Sequence, residues 1–186
     1  MHTIKLLGGN PMKFAFYILS FALVSCVPIV ETYKVKNKQS QEVIVSELQN
    51  QIQKDAEFAA QQFNPRLDDQ LDFSADSLSA VDEMLEEASD FADEMPEERT
   101  NSIIELMTAY TLFVAYKEHG GEFFWSNEYN QPFLVSGMPE SRISLLIYPA
   151  IKSRLFGDSG SRISFLFKGF SERVKSSEPN TEALYM

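Results

Sequence analysis

The chain has 186 residues, with 16 basic against 27 acidic side chains for a formal charge of −11, one cysteine, two histidines and fifteen phenylalanines. Such an excess of acid repels a phosphate backbone, and no basic stripe with interleaved aromatics offsets it, which excludes a nucleic-acid partner. A lone cysteine excludes an intrachain disulfide, so stability has to come from a hydrophobic core, and a chain of this length can bury one in a single domain.

The first organised feature is Lys13 followed by a largely apolar run, Phe14 to Val24, then Ser25 and Cys26. A positive start, a short apolar stretch and small residues beside a cut site are the physical marks of a cleaved export signal, and Met12-Lys13 would itself make a good start. An uncleaved membrane helix is the alternative. Phe14 to Val30 supplies 17 residues between Lys13 and Glu31, the short edge of what crosses a bilayer, and Pro28 interrupts them. A plain secretory signal is the other.

Leu23-Val24-Ser25-Cys26 resembles the lipobox of bacterial lipoproteins. The resemblance implies a lipid thioether on Cys26, cleavage just before it, and, with Val27 where an aspartate would retain the product in the inner membrane, the periplasmic face of the outer membrane. Residues 1–25 are then a signal peptide and residues 26–41 a tether carrying Lys34, Lys36 and Lys38. Losing Lys5 and Lys13 leaves 16 − 2 = 14 basic against 27 acidic side chains, so attachment to a membrane depends on the acyl anchor and not on anionic lipid.

Residues 42–175 read as one domain. Ile44, Leu48, Ile52, Ala56, Ala59 and Phe63 recur at helical spacing up to Pro65, a glutamine-rich amphipathic helix expected to pack on the domain. Ser74 or Asp76 is expected to cap a second helix with Leu78, Val81, Leu85 and Ala88 inward. Thirteen acids and no base lie between Arg66 and Arg99, but without the alternating oxygens and central glycine of a calcium loop, so the outer face of this helix reads as solvated and no metal is expected. After Pro96, Ser102 with Glu105 forms a capping-box pattern opening a third helix, apolar nearly all round and therefore central, which Gly120-Gly121 should stop.

From Glu122 the character turns strand-like. Glu122 to Trp125, Phe133 to Val135 and Ile143 to Tyr148 predict a three-stranded antiparallel meander, with a short helix from Ala150 to Phe156 after Pro149. Ile163, Leu166, Phe167 and Phe170 fit a last helix, although Ile163, Phe165 and Phe167 fit a strand nearly as well. Seven bases against two acids from Arg142 to Lys175 suggest either packing on the acidic second helix or a patch for a partner. Residues 176–186 read as a mobile tail. The expected class is α+β: three N-terminal helices, a short meander of about three strands, and one or two C-terminal helices.

Leu71-Asp72-Phe73-Ser74 with Ser77-Leu78, Ala109-Tyr110, Gly120-Gly121 with Trp125, and Tyr148-Pro149 with Lys152 and Arg154 together resemble a widespread group of uncharacterised small bacterial α+β domains, over residues 67 to 173. Thr108, Leu112 and Phe113 stand where members of that group tend to carry small glycines. The resemblance implies the α+β layout and no activity.

Chemistry-bearing residues are few, with no nucleophile elbow and no phosphate-cradling loop, so no catalytic residue and no cofactor are assigned. His119, beside Glu118 and Glu122, is the one candidate acid–base centre, although a histidine in the last turn of a helix suits a cap as well. Trp125, Tyr129 and Tyr148 could line a ligand groove with His119 and Glu122. Three functions follow: a lipid-anchored, non-enzymatic interaction or accessory protein with an envelope protein as partner, toxin neutralisation being one form; a small-ligand or cell-wall-binding module around Trp125; or an envelope hydrolase centred on His119.

Overall fold

The computed structural model describes residues 47–68, 70–157, 160 and 162–186. The apolar run, Cys26, the tether and Ile44 lie outside the described residues. Helix α1 occupies 47–63 and passes into a 3₁₀ turn, Asn64–Arg66, with Pro65 inside it. Its stripe of Ile52, Ala56, Ala59 and Ala60 is buried, with Leu48 and Phe63 against the core, so α1 packs on the domain. Near its start, Gln49 Nε2 donates to Tyr116 Oη at 2.8 Å, which sets α1 beside the C-terminal end of α3 (Glu97–His119).

The link to α2 (Leu78–Ser89) is built by side chains. Asn64 Oδ1 accepts the Leu71 N–H at 2.8 Å while its Nδ2 donates to the Leu71 carbonyl at 3.2 Å. Phe73 takes a left-handed backbone, φ 64°, and its N–H donates to Tyr110 Oη at 2.9 Å. Tyr110 Oη also shares a 2.7 Å hydrogen bond with Ser77 Oγ. Burial raises the Tyr110 hydroxyl above its ordinary pKa despite its hydrogen bonds with Ser77 and Phe73. The Leu71-Asp72-Phe73-Ser74 and Ala109-Tyr110 pieces therefore form one clamp. Its phenol fills a buried position and satisfies a backbone N–H that would otherwise be orphaned. Ser77, not Ser74 or Asp76, is the N-cap of α2. Ser74 acts one turn earlier, accepting the Ser77 N–H and receiving the Ser77 hydroxyl on its carbonyl.

Helix α3, Glu97–His119, starts five residues ahead of the capping-box serine. Pro96 is its N-cap, leading in with extended ψ, and Glu97 and Glu98 occupy a first turn where negative charge suits the helix dipole; Ser102 lies exposed within the helix. Buried residues, Ile104, Met107, Tyr110 and Leu112 among them, lie on every side, so α3 is the central helix. Each fully buried side chain of this size contributes about 1.5–3 kcal/mol. Gly120 ends it at φ 62°, and Gly121, at φ 120°, sits where a Cβ would collide with the Val135 carbonyl oxygen.

Strands β1 (Glu122–Ser126), β2 (Gln131–Ser136) and β3 (Arg142–Leu145) form the antiparallel meander. The sheet has a fourth strand, however. The tail expected to be mobile supplies β4, Glu182–Tyr185, paired parallel to β3. Parallel strands need a crossover, provided here by α4 (Tyr148–Leu155) and α5 (Ile163–Ser176). Helix wins over strand in α5 because Ile163, Phe167 and Phe170 all bury while Phe165 is 68 % exposed, whereas strand alternation would put Phe165 with Ile163 and Phe167. Tyr185 lays its ring 6.2 Å from that of Phe170 and over Gly169, where a Cβ would meet the ring at 3.0 Å. The architecture is α+β with a mixed four-stranded sheet in the order β1-β2-β3-β4, preceded among the described residues by three α-helices.

The acidic face of α2 is not solvated throughout. Asp82 is 3 % exposed, and its carboxylate accepts the Ile163 N–H at 2.7 Å, the Ser164 N–H at 3.1 Å and the Ser164 hydroxyl at 2.6 Å. It thus caps α5 from a neighbouring helix, meeting orphan amides that Arg162, the N-cap residue, cannot reach with its own side chain. Arg154 of α4, its side chain 10 % exposed, approaches Asp82 at 3.7 Å and Glu86 at 3.6 Å. At Arg154, therefore, the basic half packs on the acidic helix.

Candidate functional site

His119 does not form a reactive centre. Its side chain is 4 % exposed, packed edge-on to Phe170 and beside Phe167, and its Nε2 lies 2.9 Å from Ser171 Oγ on α5. Ser171 donates its single proton to Glu118 Oε1 at 3.1 Å, so it can only accept from His119, and Nε2 carries the hydrogen. A serine, a histidine and a carboxylate thus meet in the wrong order for nucleophile activation: the nitrogen facing the hydroxyl is a donor, and the carboxylate holds the serine instead of orienting the far side of the ring. Burial lowers the His119 pKa, as does Lys175, against the opposing pull of Glu118. Burial alone would raise Glu118, but hydrogen bonds from Lys175, at 2.7 Å, and Ser171, with the His119 charge, bring it below its ordinary value. The cluster is a clasp joining the end of α3 to α5.

The other sequence candidates do not converge. Glu122 begins β1 with its side chain in solvent, and Trp125, near the end of β1, is exposed opposite Pro132. Tyr129 lies in the β1–β2 turn, its N–H held by Ser126 Oγ at 3.4 Å, and Tyr148 opens α4 against the core. No hydrogen bond or ring contact joins any two of His119, Glu122, Trp125, Tyr129 and Tyr148. Among the described residues no group of His, Cys, Asp and Glu could hold a metal ion, and no helix is long and apolar enough to cross a membrane.

The site that does assemble lies elsewhere. The C-terminal part of α1, the outer side of α2 and the N-terminal half of α3 leave a groove of about 680 Å³ between them. Its floor is apolar, with Phe63 and Leu67 from the first wall, Met84 and Ala88 from the second, and Ile103 and Leu106 from the third. Phe58 and Phe91 flank it with at least half of their surface in solvent, so exposed rings adjoin the apolar floor. Met84 and Met95 add unbranched side chains that can adapt to a guest. The polar lining is sparse: Gln62, Arg66, Glu87, Arg99 and Ser102. A mostly apolar concavity of this volume with a few polar groups has the character of a small-molecule site. Sequence reasoning missed it because each wall reads as an ordinary amphipathic stripe. The available signal was Arg66 and Arg99, which bracket the acidic stretch and both line the groove.

No family model, curated protein or solved structure matches this chain.

Proposed function

We propose that the chain is a non-enzymatic binding protein of the cell envelope, held to a membrane by lipid on Cys26, which takes up an apolar guest in the groove between α1, α2 and α3. The observation carrying the binding part is that groove, with Phe58 and Phe91 left in water beside an apolar floor. The anchoring part rests on the lipobox-like Leu23-Val24-Ser25-Cys26. The wiring of His119, Ser171 and Glu118 supports binding over hydrolysis.

The test uses the full chain in nanodiscs of zwitterionic lipid with a neutral long-chain alkyl ester carrying a terminal diazirine. Photolabel should map to peptides covering 58–67 and 84–106 and vanish in Ala88→Trp, which fills the groove at a half-buried position, with the thermal melt unchanged. Labelling spread evenly over the surface and indifferent to Ala88→Trp would end the reading. Incorporation of labelled palmitate into the wild type but not into Cys26→Ala tests the anchor; label on neither would remove it.

A further inference from the structure

We infer that the guest of the groove is a single-chain amphiphile with an anionic head, a long-chain carboxylate being the simplest case. The inference rests on reading the groove as a binding site and adds to it the charge of the ligand. Its foundation is the behaviour of the two bases on the rim. Arg66 and Arg99 enclose the stretch with thirteen acids and no base, and both are exposed. Yet neither makes an ion pair or a side-chain hydrogen bond among the described residues. Two bases elsewhere engage acids: Arg154 meets Asp82 and Glu86, and Lys175 meets Glu118. Two arginines thus line an apolar trough beside the most acidic part of the chain, with no acid engaged.

Glu87 is the one acid on the lining, so the rim carries two positive charges against one negative. Ser102, three residues after Arg99 and so on the same side of α3, adds a hydroxyl donor. A guest that is hydrocarbon alone leaves these donors unused. A cationic guest is repelled by them. An anion with one acyl chain places the chain among Phe63, Met84, Ala88 and Leu106 and its head against guanidiniums suited to bind a carboxylate in bidentate fashion. A helix from a partner protein fits less well, because a specific protein interface buries over about 1,000 Å² and is anchored by a central cluster, whereas the exposed aromatics here flank a trough of small-molecule size.

The deciding experiment compares two diazirine probes on the full chain in zwitterionic nanodiscs, a long-chain carboxylate and its methyl ester, with wild type and an Arg66→Gln/Arg99→Gln double variant. The carboxylate should label the groove peptides about tenfold more than the ester, and the double variant should bring the acid down to the level of the ester while ester labelling and the melt stay unchanged. Equal labelling by acid and ester, unmoved by the double variant, overturns the head-group inference and leaves the apolar site standing. No groove labelling by either probe overturns both. A benzophenone amino acid replacing Phe91 that crosslinks an envelope protein in cells, with neither probe competing, overturns it in favour of a protein occupant.

Discussion

Replacing Asp82 by alanine removes a carboxylate that serves two neighbouring elements at once. It deletes three acceptor contacts at the start of α5, to Ile163 N–H, Ser164 N–H and Ser164 Oγ, and leaves the nine-tenths buried Arg154 with only the solvent-exposed Glu86. Loss of a helix cap costs about 1 kcal/mol, and stranding a buried partner charge raises the total to about 3–5 kcal/mol. For a domain of this size that is a fall in Tm of roughly 10 °C. Asp82→Asn keeps one acceptor oxygen and should fall between alanine and wild type. Urea denaturation followed by far-ultraviolet circular dichroism would measure each variant, together with Arg154→Met and the double variant Asp82→Ala/Arg154→Met. If Asp82 acts as described, the double variant is less destabilised than the sum of the singles, by about 1 kcal/mol or more. A loss below about 1 kcal/mol for Asp82→Ala, or strict additivity, would refute the account of Asp82 as cap and counter-ion.

Tyr110→Phe leaves the Phe73 N–H and the Ser77 hydroxyl without their shared partner and should cost about 1–3 kcal/mol by urea denaturation, with Ser77→Ala costing less because the backbone N–H stays paired. The folded-state pKa of His119 lies below its ordinary 6.5, so its neutral form favours the fold: stability is fully present above that value and declines as pH falls through it. Denaturation midpoints should therefore be flat from pH 8 to 7 and drop below about 6.5, and His119→Gln should flatten the drop down to about pH 5. Glu118, also lowered, from 4.5, adds a further loss only at more acid pH, which His119→Gln leaves in place. Tyr185→Ala strips the ring from Phe170 and Gly169; a loss of about 3 kcal/mol is expected, and an unchanged melt would show that β4 does not contribute to the fold.

The helices were legible where one physical signal dominated. Leu78, Val81 and Leu85 could face nothing but a core, and α3, apolar all round, could lie nowhere but in the middle. The start of α3 was misplaced because Ser102 and Glu105 satisfy a local capping rule, while Pro96 with two following glutamates satisfies it earlier. Asp82 was hidden by its company: it belongs to the same acidic run as Glu83, Glu86 and Glu87, and only the arrival of α5, eighty residues later, separates a buried cap from a solvated carboxylate. β4 was passed over because four residues, Glu182 to Tyr185, give only two alternations, and parallel pairing leaves no hairpin turn to announce it. The groove is a property of three helices in register, and no single helix carries it; His119, which the sequence does single out, proved to be a packing group.

The hydrogen bond from Gln49 to Tyr116 has a consequence for display. Gln49 lies at the start of α1 and Tyr116 near the end of α3, whereas the groove is walled by the far end of α1 and the near end of α3. Thirteen helical residues separate Tyr116 from Ile103, about 20 Å along the axis. Were the chain anchored through Cys26 as proposed, it would enter the described domain at residue 47, on the Gln49 side and at the opposite end of α1 from the groove. Under that proposal the groove stands at the end of the helical layer remote from the point of attachment.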